Sequence, residues 1–273
     1  RNLAIFVAGV LSVGWIGRGL DVLTGSPATE GPGILLWLVA PFTLSLALRA
    51  FAGDGWEDLG LRPNVRGNLS WYAVSILVFP ALTAVVVAIG AGLGLTTLPD
   101  PSLASLGLVG QAFALGVAPQ LLKNVFEEGA WRGYLAPKVY SLGLDGFLGH
   151  GIVGLVWGAW HIPYYLFFLD RGVLRDFTTL DLAAFVPLAI AVMIAWAMVY
   201  GEIRLATRSF WPAVLMHMVE DAFLNQLFTE NHIRIVPGTD WLVSPVNGLV
   251  GIVLFTAAAF ALRRWRLARK PSS

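Results

Sequence analysis

Asn124-Val125-Phe126-Glu127-Glu128-Gly129-Ala130-Trp131-Arg132-Gly133-Tyr134-Leu135 follows an apolar run, Leu106 to Leu122, with Lys123 between the two. The run is long enough for most of a membrane crossing, which takes about 20 apolar residues. Two adjacent carboxylates and an arginine then stand where a membrane protein can least easily place them. An acidic residue at the centre of a spanning helix costs roughly 2.5–3.5 kcal/mol. Such a stretch calls for a surrounding bundle that gives these groups partners or work.

Composition agrees with a bundle in lipid. The chain of 273 residues is 57% hydrophobic and 13% charged, with eleven tryptophans; its mean hydropathy is +0.72. Ordinary globular proteins carry about 25% charged residues. A net charge of +1 gives no electrostatic footprint for a nucleic-acid partner. The absence of cysteine removes disulfides, thiolate metal sites and a cysteine nucleophile. No cleavable signal peptide is read at the start, and Arg1 is not an initiator methionine.

The apolar runs predict an all-α, polytopic membrane protein of about eight transmembrane helices enclosing a polar cavity, one domain over 1–273 with its motif-bearing core at about 106–228. The expected spans are Asn2–Gly17 (ended by Arg18 and Asp21), Ile34–Phe51, Trp71–Leu93, Leu106–Phe126, Gly146–Phe168, Leu182–Tyr200, Phe210–Phe228 and Val243–Leu262. Pro119 is a possible kink in the fourth, which could run on toward Ala136 with Pro137 as the next breaker. With eight spans both termini share a side. That side holds thirteen basic residues, the cluster Arg263, Arg264, Arg266, Arg269 and Lys270 among them, and the other holds Arg18, Arg171, Arg175 and Arg234. The imbalance puts both termini in the cytoplasm, of a cell (inner) membrane, with Glu127 and Glu128 toward that face.

Three spans carry ionisable groups. Glu127 and Glu128 point about 100° apart on a helix and are unlikely to share a job. Glu128 and Arg132 have the favourable i,i+4 order, Lys123 and Glu127 the less favourable one. Two local ion pairs are as good an account of this stretch taken alone. The fifth span has Trp157 and His161 on one face, with Pro163 freeing backbone groups nearby; a lone His there is more often a packing residue. The seventh has His217, Asp221 and Asn225 as an i, i+4, i+8 stripe, expected to face the bundle interior. At 1.5 Å per residue, His161 lies about 15–20 Å and His217 about 10 Å from the cytoplasmic face, so the groups could meet. Tyr164, Tyr165, Phe167 and Phe168 read as an interfacial belt.

Carboxylate plus histidine suits activation of water: the carboxylate takes the proton, the imidazole positions the water, and donors hold the resulting oxyanion. Asp221 donates only when protonated; ionised, it would orient His217, and both roles stay open. Other intramembrane hydrolases lack their signatures here. There is no Gly-x-Ser-Gly, no His-Glu-x-x-His, no Gly-x-Gly-Asp with Tyr-Asp, and only four histidines where a di-iron oxygenase needs many.

Glu127-Glu128-x-x-x-Arg132, Trp157-x-x-x-His161 and His217-x-x-x-Asp221, in that order, resemble the three motifs of the CAAX prenyl protease and bacteriocin-processing (Abi, CPBP) family. The Trp56-Glu57-Asp58-Leu59-Gly60-Leu61-Arg62 loop is similar to a tract those proteins carry before their core. The resemblance implies a glutamate-dependent intramembrane endopeptidase that cuts prenylated CAAX-type or other membrane-associated peptides near the cytoplasmic face, with no metal or other cofactor. It implies Glu127 as general base, His161 on the water, and His217 with Asp221 on the oxyanion side. Glu128 and Arg132 would orient them, with Trp157 and Asn225 in support. Trp157 stands where phenylalanine is common, and Asp221 where the prenyl endoproteases have asparagine. Two other readings compete: a metal-dependent membrane hydrolase with Glu127, His161, His217 and Asp221 as ligands, and a non-catalytic scaffold or immunity-type protein binding a peptide in the same cavity.

Overall fold

The computed structural model describes residues 1–100, 102–229 and 232–269. Lys270, counted in the basic cluster above, lies outside the described residues. The helices are α1 (Asn2–Thr24), α2 (Pro32–Phe51), α3 (Leu69–Gly92), α4 (Leu103–Ala130), α5 (Ala136–Tyr140), α6 (Phe147–Trp160), α7 (Arg171–Phe177), α8 (Leu182–Thr207), α9 (Trp211–Val219), α10 (Asn225–Thr229), α11 (Asp240–Val243) and α12 (Leu249–Ala268). One two-residue ribbon pairs β1 (Thr96–Thr97) with β2 (Arg234–Ile235), antiparallel. This is a polytopic all-α membrane protein.

Among the described residues six stretches are long and apolar enough to cross a membrane: Asn2–Thr24, Pro32–Phe51, Leu69–Gly92, Ala104–Tyr140, Phe147–Phe168 and Leu182–Thr207. The last two expected spans have another character. The seventh is broken between α9 and α10, and α12 carries Arg263, Arg264 and Arg266 near its end. Two boundaries differ from expectation for a local reason. α1 runs past Gly17 through Arg18 and Asp21 to Thr24, because the Asp21 carboxylate is buried as a cap, accepting from the Gly33 N–H at 2.7 Å. α4 passes Pro119 and continues through a bulge into α5. Pro137 opens α5 instead of ending it, since the first turn does not need its missing N–H.

The centre of the bundle is α8, packed between α6 and α12. Gly154 and Gly158 let α6 lie against the α8 backbone: a Cβ on Gly154 would stand 2.6 Å from the Ile194 Cα. Beside this seam Glu202 is fully buried, paired with Arg266 Nε at 2.6 Å and His150 Nε2 at 3.2 Å. Part of the C-terminal basic cluster is therefore a clamp that holds α12 to the core.

The loop between α2 and α3 docks on one end of the bundle. Arg49 donates to the Asp58 carboxylate at 2.5 Å and to the Gly133 carbonyl at 2.6 Å. Arg204 donates to the Asp58 carbonyl at 2.6 Å and the Arg132 carbonyl at 2.9 Å. Gly60 has φ +76°, and a Cβ there would meet the Arg204 guanidinium at 2.9 Å. Leu59 and Gly60 thus press the loop onto residues 132–133, just past the paired glutamates.

Candidate active site

Each of the three polar motifs sits against a π turn. Trp131–Leu135 follows Glu127 and Glu128, Tyr164–Phe168 follows His161, and Glu220–Leu224 follows His217. A π turn accommodates an extra residue relative to the α-helix and disturbs the regular bond ladder, so carbonyls need other partners. At the first turn those partners are Arg49 and Arg204. Before the second, the His161 N–H turns to the Gly158 carbonyl at 3.1 Å, and the Trp157 carbonyl it leaves accepts from His161 Nδ1 at 3.0 Å. That bond fixes the tautomer: the proton is on Nδ1 and Nε2 is left as an acceptor.

Glu127 is 2% exposed. One of its oxygens faces the Lys123 ammonium at 3.2 Å and the other accepts from Trp157 Nε1 at 3.3 Å. Glu128 is fully buried and receives Arg132 NH1 and His217 Nδ1, each at 2.9 Å, on a single oxygen. The Arg132 guanidinium lies between the rings of Trp157 and Tyr200, 4.5 and 4.0 Å from their centroids. The two glutamates have different partners. Glu127 lies behind Lys123 and Trp157, which line the cavity; Glu128 holds Arg132 and His217.

His217 Nε2 lies 3.8 Å from both Glu220 and Asp221. Asp221 Oδ2 accepts from Lys123 Nζ at 2.8 Å and Asn124 Nδ2 at 2.7 Å. The sequence assigns Lys123 only a pairing with Glu127 and leaves Asn124 and Glu220 without a role, although Asn124 stands one turn before Glu127 and Glu220 one turn after His217. Among the described residues no hydrogen bond joins His161 to Glu127 or His217 directly; they meet through Trp157 and a shared cavity.

That cavity has a volume of about 340 Å³ and is lined by Lys123, Trp157, His161, His217, Glu220, Asp221 and Asn225 at one end. Its other end is apolar, with Val173 and Phe177 of α7 and Phe185, Met193 and Trp196 of α8. Tyr164 and Tyr165 belong to it too, which corrects the belt expectation for those residues. Tyr165 stacks on His161 at 5.7 Å and Tyr164 on Trp37 at 4.8 Å, because the π turn rolls them inward.

Ligand atoms of His217, Glu220 and Asp221 lie within 4.8 Å of one another, a spacing a divalent cation could bridge. This is not the set Glu127, His161, His217 and Asp221. Its Asp221 oxygen is already engaged by an ammonium, which supplies positive charge where a metal would.

Residues 109–223 match the family described as type II CAAX prenyl endopeptidase Rce1-like. No curated protein matches the chain. The matched segment starts inside α4, ends in the third π turn and contains all three motifs. Over this segment, somewhat under half of its length, the chain is similar to the CAAX protease (CPBP) family of membrane proteases.

Proposed function

We propose that this chain is a glutamate-dependent intramembrane endopeptidase in which Glu127 activates water. The carrying observation is the donor set on Glu127. An ammonium 3.2 Å from one oxygen and an indole N–H on the other suit an ionised carboxylate that can take a proton. His161, with Nδ1 committed to the Trp157 carbonyl, offers Nε2 as acceptor to the same water. The water oxygen attacks the scissile carbonyl carbon while its proton passes to Glu127. The carbonyl electron pair moves onto oxygen, where His217 donates from Nε2 as the imidazolium, its Nδ1–H being given to Glu128. Collapse breaks the C–N bond, and Glu127 returns the proton to the leaving amine.

The basic residues support both termini on the cytoplasmic side of a cell (inner) membrane, and the apolar end of the cavity suits a lipidated peptide of the prenylated CAAX type. Glu127→Gln is expected to lower cleavage by about 10²–10⁴-fold in a protein that still inserts and folds, and chelators are expected to leave wild-type cleavage unchanged. Wild-type rates in Glu127→Gln would sink the proposal. Loss on chelation, restored by zinc, would favour a metal held by His217, Glu220 and Asp221.

A further inference from the structure

Lys123 belongs to none of the three motifs, yet its ammonium sits among the groups they contribute. Nζ lies 2.8 Å from Asp221 Oδ2 and 3.2 Å from Glu127 Oε1. The lysine side chain is 30% exposed and lines the cavity, whereas those of Glu127 and Asp221 are 1% and 10% exposed. An ammonium has three N–H donors and no acceptor. One is given to Asp221, and the charge pairs with Glu127 at 3.2 Å, which leaves an N–H for the cavity.

The same contacts define Asp221. Lys123 and Asn124 converge on one oxygen, as donors do on a carboxylate. The Oδ2 oxygen of Asp221 is therefore an acceptor, taken up by Lys123 and Asn124. The site then needs a donor besides His217, and Lys123 is the donor beside Glu127 that faces the cavity.

We propose, building on the peptidase reading above, that Lys123 is a catalytic residue: its free N–H donates to the oxyanion as the tetrahedral intermediate forms, and Asp221 is the anion that aims it. Lys123 keeps all its protons throughout. Water gives its proton to Glu127, the carbonyl pair moves to oxygen and returns on collapse, and the amine leaves with the proton from Glu127. The charged and titratable groups facing Lys123 are Glu127 on its own helix, Glu220 and Asp221 on the third π turn, His217 on α9 and His161 after α6.

The competing role is a counter-ion that only neutralises Glu127 and Asp221. The two are separated with the full chain in liposomes, using the peptide that wild type cleaves best from a farnesylated CAAX-peptide library. Lys123→Met is expected to lose about 100- to 1,000-fold in kcat at every pH, the cost of one oxyanion donor, with KM within a few-fold. The loss should persist in Lys123→Met/Asp221→Asn, where no carboxylate is left unpaired at position 221. Should Lys123→Met alone not fold, that double variant is compared with Asp221→Asn in its place. Lys123→Gln, a neutral N–H donor, is expected to recover at least tenfold over Lys123→Met. The inference is overturned if the double variant reaches the kcat of Asp221→Asn, if Lys123→Gln is no better than Lys123→Met, or if only the acidic limb of the pH profile moves. Glu127→Gln run beside them distinguishes the failures: cleavage there, or none by wild type, overturns the peptidase reading itself.

Discussion

Trp157 does one job that a phenylalanine cannot. Its indole N–H reaches Glu127 at 3.3 Å, and its carbonyl fixes the His161 tautomer, while its ring carries the Arg132 guanidinium. The carbonyl and the ring face survive in Trp157→Phe; the donor does not. A hydrogen bond to a charged group is worth about 1.5–3 kcal/mol. Trp157→Phe is therefore expected to lower kcat by about tenfold or more, with KM and thermal midpoint nearly unchanged. Steady-state kinetics on the purified variant check this, and an unchanged kcat would show that the indole donor is idle. The pairing of Glu128 with Arg132 was legible from their i,i+4 spacing. The bridging of Lys123 to Asp221 was not, because 98 residues separate them and no local period encodes the contact.

At the scale of elements, the apolar runs showed where the helices lie but not where they bulge. A π turn adds one residue to a helix whose composition is unchanged, so the 3.6-residue pattern gives no warning. The i, i+4, i+8 stripe of His217, Asp221 and Asn225 still lines one cavity, though its last step crosses such a turn. The α2–α3 loop was legible as a motif and not as a clamp, since its partners come from α1, α2, the first π turn, α5 and α8. Its Asp54 offers a pH test outside the membrane. Burial pushes the Asp54 carboxyl up, but hydrogen bonds from Tyr134 and Asn2 and the charges of Lys138 and Arg49 outweigh it, and the value is lowered. A lowered carboxyl stabilises the fold above its unfolded value of about 3.9 and loses that contribution as pH falls through the folded value. Asp54→Asn should thus be less stable than wild type at neutral pH, and the difference should shrink below about pH 4. Thermal scans in detergent across that range decide it; a difference independent of pH would refute the linkage.

For the molecule as a whole, the basic residues read from the sequence as a topology signal divide into two kinds. Arg49, Arg132 and Arg204 are buried and bonded within the protein, and Arg266 is bound to Glu202. Arg62, Arg66 and Arg208 lie in loops at the same end. The orientation can be read without touching either kind, because the chain has no cysteine of its own. A single cysteine replacing Ser141, in the turn after α5, should react with an impermeant maleimide only from the cytoplasmic side. One replacing Asp176 in α7 should react only from the other. The reverse pattern would invert the proposed topology.

The contact between Arg204 and the Arg132 carbonyl spans 72 residues of chain. During synthesis, then, the helix bearing the paired glutamates enters the bilayer well before the arginine that completes its bulge has been made. His217 and Asp221 emerge later still. A nascent chain stalled anywhere short of α9 holds Glu128 without His217. On the proposed function the site is completed only once α9 and the third π turn have been made, and a fragment ending before them is expected not to cut.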